Sequence, residues 1–380
     1  MQKIIISFVF IFLAHFLQAQ QNVLLMIRKL PADHPKDSAI YIAGSFNGWN
    51  PRDERYKLNY GAHGYTIEFS LQKGNYEYKF TRGGWDKVEC KKDGSPLENR
   101  VLKLENDLSL QLDIDEWQDR FPVKPKKSTA SRSVQIMDTA FWLPQLQRQR
   151  RVWIYLPASY HNDQRRKYEV LYMHDGQNVF DDSTSFSGEW GLDEMLDSIN
   201  REVIVVAIDH GNEKRMNEYN PYDHERFGKG EGKSYIDFLA RTLKPYIDKH
   251  YRTKKKKKHT MIAGSSMGGL ISMYAVLSYP KVFGGAGVFS PAFWVAPRIY
   301  DEINKKGKKV KSNIYFYAGK QEGERMVPDL LKAFETMGSV SKSHMRAVIK
   351  DEGRHNELAW RKELPAAFFF MLDGDQHNGH

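Results

Sequence analysis

The chain has 380 residues, 41% of them hydrophobic and 13% aromatic, which is ample for two domains with cores of their own. Its single cysteine, Cys90, excludes an intramolecular disulfide framework, so the fold must rest on apolar packing. The net charge is +10, from 57 basic and 47 acidic residues, but no aromatic platform or nucleic-acid motif accompanies the lysines, which excludes a nucleic-acid binder.

Residues 1–20 read as a targeting segment. Lys3 supplies the positive start, 4–17 the apolar stretch and Ala19 a small residue for cleavage. The apolar run is short for a bilayer span and no stop-transfer charges follow it, so the expectation is an exported chain, periplasmic or secreted, with no membrane segment left after cleavage. Cys90, beside Trp85 and Val88, reads as a small packed hydrophobe.

From 21 to 118 the sequence is a series of short alternating stretches: 22–28, 38–43, 64–71, 75–80, 100–104 and 108–114. Turn signals separate them at Asn47-Gly48, Gly61, Lys73-Gly74, Gly83-Gly84 and Asp93-Gly94. Short strands at regular spacing predict a small all-β sandwich of the immunoglobulin-like kind. Residues 119–133 change to a polar linker with Pro122, Pro125 and lysines 124, 126 and 127, and a domain boundary is expected there.

Beyond the linker, from 134 to 380, strands and helices alternate. The stretches 151–156, 168–173 and 203–208 are apolar runs of the sort a parallel sheet buries, with helical character at 188–199 between the last two. Residues 234–250 place Ile236, Leu239, Leu243, Tyr246 and Ile247 at helical spacing. Further strands are expected at 261–263, 285–289, 314–317 and 346–349, which together predict a doubly wound α/β sheet with helices on both faces. The run Lys254–Lys258, just before the strand at 261, reads as a solvated loop.

One motif organises this half. Gly264-Ser265-Ser266-Met267-Gly268 is G-x-S-x-G between an apolar strand and an apolar helix. A nucleophile on so sharp a turn needs small neighbours, and the turn aims the first N–H groups of the helix at an oxyanion forming beside Ser266. Serine at the elbow, acid after a later strand and histidine after the last strand is the order of an α/β-hydrolase. Glu322, past the strand ending at Ala318-Gly319, is the leading acid, with Glu324 and Asp329 as rivals. His355 is the base, because it follows a strand whereas His259 and His344 precede theirs. The oxyanion donors are expected to be the Met267 N–H and one from the loop His174-Asp175-Gly176-Gln177-Asn178, with Gln177 the first choice. No metal-ligand cluster is visible, so no cofactor is implied.

Two resemblances sharpen this. Ala43-Gly44-Ser45-Phe46-Asn47-Gly48-Trp49-Asn50, Tyr78-Lys79-Phe80, Gly84-Trp85 and Asn99-Arg100 resemble the starch- and glycogen-binding modules, including that of the AMP-activated kinase β subunit. The resemblance implies that Trp49 and Trp85 stack on sugar rings while Lys79 and Asn99 bond hydroxyls, with an inter-domain positioning role as the alternative. From about 150 to 372 the chain resembles the α/β-hydrolase family of esterase D, feruloyl and acetyl-xylan esterases, siderophore esterases and mycolyltransferases. That resemblance rests on VWIYLP, LYMHDGQNVF, RMNEY, GSSMGGL, FSPAFW and GRHNELAW. It implies that Phe293 and Trp294 line the acyl pocket, with core packing as the alternative, and that Arg215 and Glu218 either shape its mouth or pair on a loop.

The expectation is therefore an exported serine esterase with a Ser266–His355–Glu322 triad, acting on acetyl or feruloyl esters of carbohydrate, with polysaccharide as a possible further partner. A ferric-siderophore esterase is the first alternative, since the basic charge would suit an anionic catecholate. An inactive glycan-binding protein is the alternative from another class.

Overall fold

The computed structural model describes residues 20–62, 64–121, 126–186, 188–199, 201–225 and 227–374. The expected leader, but for Gln20, and the linker prolines Pro122 and Pro125 lie outside the described residues. No described helix is long and apolar enough to cross a membrane. The chain divides into two compact units, 1–124 and 125–380.

The first unit is built from β1 (Gln21–Lys29), β2 (Tyr41–Gly44), β3 (Asn59–Gly61), β4 (Gly64–Leu71), β5 (Gly74–Thr81), β6 (Glu89–Cys90), β7 (Arg100–Leu104), β8 (Leu108–Asp113) and β9 (Glu116–Trp117). They form a four-stranded sheet β3-β4-β1-β8, a three-stranded sheet β2-β5-β7 and the pair β6-β9. Alternation explains why two sheets share one core. Val23, Leu25 and Ile27 point one way from β1, Tyr78 and Phe80 from β5, Leu102 and Leu104 from β7, and all are buried together. Cys90 is buried and unbridged, and burial pushes its thiol up to about 11, as a packed small hydrophobe requires.

The second unit carries β10 (Val134–Leu143), β11 (Arg148–Tyr155), β12 (Glu169–His174), β13 (Val203–Ile208), β14 (Thr260–Ser265), β15 (Gly285–Phe289), β16 (Asn313–Gly319) and β17 (His344–Lys350). They make one eight-stranded sheet in the order β10-β11-β13-β12-β14-β15-β16-β17. β11 runs against both its neighbours, and the strands from β13 to β17 are parallel. The apolar runs read as buried strands divide by parity between two cores. Val170, Tyr172, Val206 and Phe316 face one, with the helices Gly232–Phe238 and Met267–Ser278; Leu171, Met173, Val205 and Tyr317 face the other, with the helix Glu357–Asp373. A sheet buried on both faces needs no polar alternation, which is why those strands look uniformly apolar.

Several boundaries move. The helix expected over 188–199 is only Leu192–Ser198, and the one over 234–250 contains a π-helical turn at Leu239–Leu243. β10 was not expected; its alternation is interrupted by register shifts between Ile136 and Phe141. The polar stretch after 125 is fastened to the second unit. Ser128 Oγ and the Thr129 N–H donate to Asp181, Thr129 Oγ1 to Glu189, and the Ser131 N–H to Asp193. Burial is the first cause holding the Asp193 carboxyl high, at about 7.

Candidate active site

β14 ends at Ser265, and the next residue adopts φ 59°, ψ −119°, a region that L side chains rarely occupy. That residue is Ser266, and the helix Met267–Ser278 starts directly after it. Its main chain is pinned on both sides: the Ser266 N–H donates to Phe289 O at 2.9 Å, and the Ala292 N–H donates to Ser266 O at 3.0 Å. Two glycines, one opening the motif and one just beyond it, explain themselves. A Cβ on Gly264 would lie 3.1 Å from Gly268 Cα, and one on Gly269 would lie 2.7 Å from Phe289 O. The elbow can close only because those positions are bare.

Glu322 and His355 are brought together directly. Glu322 Oε2 lies 2.7 Å from His355 Nδ1, and the Glu322 side chain has no exposed surface. Its other oxygen, Oε1, accepts from Ser290 Oγ at 2.8 Å and from the Gly319 N–H at 2.6 Å. An ionised carboxylate only accepts, so Nδ1 carries the proton and Nε2 is left with its lone pair. Of the rival acids, Asp329 pairs with Arg325.

The loops bearing Glu322 and His355 are locked by a contact between two glycines. A Cβ on Gly319 would fall 2.1 Å from Gly353 O, and the Gln321 N–H donates to the same oxygen at 3.0 Å. Gly319→Ala should therefore spread the two loops. We expect at least a tenfold loss of kcat and about 1–3 kcal/mol of stability, read from ester hydrolysis and thermal unfolding; wild-type values for both would show that the contact positions nothing.

Two neighbours went unrecognised in the sequence. Ser290, of the FSPAFW stretch, takes φ 42° and hands its hydroxyl proton to Glu322 while accepting from Trp360 Nε1 at 2.8 Å. Trp360, of GRHNELAW, also packs edge-on against the His355 ring, with centroids 5.1 Å apart. The signal was present, since both residues stand in stretches that the resemblance had already singled out.

On the other side of the elbow lies the loop after β12. A Cβ on Gly268 would be 3.3 Å from His174 Cβ and 3.4 Å from Asp175 Oδ2, so that loop rests against the first turn of the helix. Asp175 takes two hydrogen bonds from Arg215, at 2.7 and 2.8 Å. Burial pushes the Asp175 carboxyl up, but Arg215 outweighs it and holds it below the ordinary range. His174 is buried, bonded through Nδ1 to Tyr235 at 3.0 Å, and burial lowers it to about 3, so it stays neutral. Gln177 accepts from the His210 N–H through Oε1, while its Nε2 is buried with no partner among the described residues.

The structure decides between the alternatives for two of the remaining site residues. Phe293 has no exposed surface and packs against Tyr300, so it belongs to the core and is not a pocket wall. Trp294 is partly exposed beside Phe227. Arg215 and Glu218 do not pair: Arg215 holds Asp175, and buried Glu218 takes Arg148 at 2.7 Å and also Arg150. One helical turn, Arg215–Glu218, sends two charges three positions apart to different partners, which their spacing in sequence cannot reveal.

In the first unit Trp49 and Trp85 meet, with ring centroids 6.2 Å apart at 42°. Trp49 sits at φ 58° after Gly48, and its N–H donates to Gly44 O. Asn47 ties this turn by accepting from the Gly44 N–H and donating to Ile42 O, each at 2.7 Å. Tyr78 pairs with Arg100, which sets Lys79 and Asn99 in neighbouring register. Lys79 Nζ donates to Leu97 O and Asn99 Nδ2 to Glu77 Oε2.

Comparison with known proteins decides the family. The model of the family described as "Putative esterase" matches residues 144–371, which include the elbow and both carriers of the Glu322–His355 contact. The chain belongs to that esterase family. It is a serine carboxylic ester hydrolase. An uncharacterized protein of Bacillus subtilis, YbbA, is 28% identical over 183 residues, 46% of this chain and 69% of that one. An endo-1,4-beta-xylanase/feruloyl esterase of Xylanibacter ruminicola is 24% identical over 234 residues, 60% of this chain but only 30% of its own length. The solved enterobactin esterase FES of Shigella flexneri shares the esterase's fold over 92% of each chain, with a TM-score of 0.50 and 14% identity.

Proposed function

We propose that Ser266, His355 and Glu322 act as the triad of an exported esterase that cleaves neutral acyl esters of carbohydrate, acetyl or feruloyl, through an acyl-enzyme. The observation that carries this reading is the 2.7 Å contact between buried Glu322 and His355, beyond the C-terminal ends of the same sheet whose β14 leads into the strained Ser266. His355 Nε2 takes the proton of Ser266 Oγ as that oxygen bonds to the ester carbon. The tetrahedral oxyanion collapses with departure of the alcohol, which receives the proton from His355. Water then enters by the same route and frees the acid, restoring Ser266.

The oxyanion would be met by the Met267 N–H at the helix start and by a donor from the β12 loop. Within that loop the Asp175 N–H is given to Tyr219, the Asn178 N–H to Asp175 O and the Val179 N–H to Gly176 O, which leaves the Gly176 and Gln177 N–H groups as the candidates.

Neutral substrates are favoured because Arg215, the cation against the elbow loop, is already neutralised by Asp175. An anionic catecholate would find no unpaired charge in Arg215, which weighs against the siderophore alternative. The likeness to a xylanase/feruloyl esterase supports a carbohydrate-linked acyl group. Profiling initial rates on acetylated xylan, methyl ferulate and a catecholate trilactone tests the substrate class; preference for the trilactone would overturn it.

For the first unit the reading is a glycan-binding sandwich that uses Trp49 and Trp85, with Lys79 and Asn99 to bond sugar hydroxyls. Stacking on two aromatic faces is worth on the order of 1 kcal/mol each. The full chain should be retarded by α-glucan or xylan in affinity electrophoresis, and Trp49→Ala with Trp85→Ala should remove the retardation while leaving p-nitrophenyl acetate hydrolysis unchanged. Equal mobility of both proteins on every glycan would reject sugar binding.

A further inference from the structure

The parallel part of the catalytic sheet has two ends of different chemistry. Ser266, Glu322 and His355 follow the C-terminal ends of β14, β16 and β17. The N-terminal ends of the parallel strands are entered from basic segments. Lys167 precedes β12, Arg201 β13, the run Lys254–Lys258 β14, Lys281 β15, Lys308 to Lys311 β16, and Lys342 β17. Since the strands lie side by side in the order β13-β12-β14-β15-β16-β17, these entries share one edge, about 24 Å wide at the usual ~4.8 Å strand spacing.

The basic segments also touch one another. Lys257 Nζ donates to Lys311 O at 2.7 Å, joining the run before β14 to the segment before β16. A Cβ on Gly284 would lie 2.4 Å from Lys257 O, so the run crosses directly over the entry to β15. Burial, and then the charge of Lys311, lower the Lys257 ammonium.

Counter-charge is scarce here. No aspartate or glutamate occurs in 249–300, in 303–321 or in 336–350. The acids of the nearby cleft, Glu169 and Glu202, are already matched: Glu169 by Arg201, Lys254 and His259, and Glu202 by Arg166. Lys255, Lys256, Lys258, Lys308 and Lys309 are exposed and have no ion-pair partner among the described residues. Read by itself, the lysine run is a solvated loop; assembled with its neighbours, it becomes one face with an excess of positive charge, its acids Glu169, Glu202 and Asp373 all paired.

We infer that this basic pole docks the protein on an anionic phospholipid surface, with the serine centre at the opposite end of the sheet facing solution. The orientation rests on the triad reading above; the docking does not. Lysine is the suitable residue, because hydrated point charges on flexible stems sum their attraction over many headgroups, whereas recognition of one phosphate favours the planar fork of arginine. The segments at 254–258, 308–311 and 342 carry no aromatic residue, so neither bases nor sugar rings would have a face to stack on. A field of exposed charges is screened within about 10 Å at 0.1 M salt, so docking must weaken as salt rises.

The test is sedimentation of the purified protein with vesicles of 30% phosphatidylglycerol in phosphatidylcholine, at low and high salt, beside vesicles of phosphatidylcholine alone. The expected result is binding to the anionic vesicles only, lost by 0.5 M salt. Replacing Lys255, Lys256, Lys258, Lys308 and Lys309 by serine should weaken partitioning at least tenfold and leave p-nitrophenyl acetate hydrolysis unchanged. The rate also reports that the variant is folded. Binding to both vesicle types, no binding at low salt, or wild-type partitioning of the folded variant would each overturn docking. Stronger retention on heparin or DNA than on the vesicles would assign the pole to a polyanion other than lipid. Because Ser266→Ala should still sediment, failure of the triad reading and failure of docking are told apart.

Discussion

Ser266→Ala is expected to lower kcat on p-nitrophenyl acetate by about 10⁵–10⁶, leaving only what the oxyanion donors and binding supply. The substitution removes one oxygen and nothing that holds the turn. Ser266 is anchored through its main chain, to Phe289 O and from the Ala292 N–H, and alanine can make both bonds. Its φ of 59° is imposed by the strand, the helix and the bare glycines around it, not by the hydroxyl. The thermal transition should therefore stay within a few degrees of wild type. Activity near wild type would remove Ser266 from the chemistry; loss of folding together with activity would make the serine structural.

Glu322→Gln is expected to cost about 10²–10⁴ in kcat, less than loss of the serine, because an imidazole remains in place but with its proton wrongly held. The amide keeps the shape of the carboxylate, and its oxygen can go on accepting from Ser290 Oγ and the Gly319 N–H. With the oxygen held there, the NH₂ faces His355 Nδ1. Nδ1 must then accept, the ring proton moves to Nε2, and Nε2 can no longer take a proton from Ser266. Glu324→Gln should be nearly silent, and so should Asp329→Asn, since Asp329 is occupied with Arg325. The measurement is kcat for the three variants with their unfolding curves. A silent Glu322→Gln beside a severe neighbour would transfer the acid's role to that neighbour.

Much of the catalytic unit was readable in the chain because its signals are local. An elbow needs glycines at fixed offsets, a doubly buried strand needs an apolar run, and acid and base must follow strand ends in a fixed order. Glu322 and His355 are singled out on that last ground alone, and the structure brings the two side chains into contact. The amphipathic stretch at 234–250 likewise announced a helix, although nothing in its spacing announced the π turn at Leu239–Leu243.

What sequence could not supply depends on which loops meet. Ser290 and Trp360 stand 70 positions apart, and only the packing of the last helix under β15 and β16 puts the indole N–H on the serine that steadies Glu322. Phe293 reads equally as a pocket aromatic or a core residue, and only its complete burial decides for the core. Arg215 and Glu218 sit one turn apart and leave in opposite directions, because Asp175 and the arginines of β11 arrive from different strands. The lysines make the same point in reverse. Five in a row read as solvent-facing chain, and it takes parallel strand order to bring five other segments beside them. Composition, strand period and elbow spacing are properties of neighbours along the chain, and the sequence by itself determined those. Every partner reached across the sheet was decided by tertiary structure, because a parallel strand order gathers at each end of the sheet residues that the chain keeps far apart.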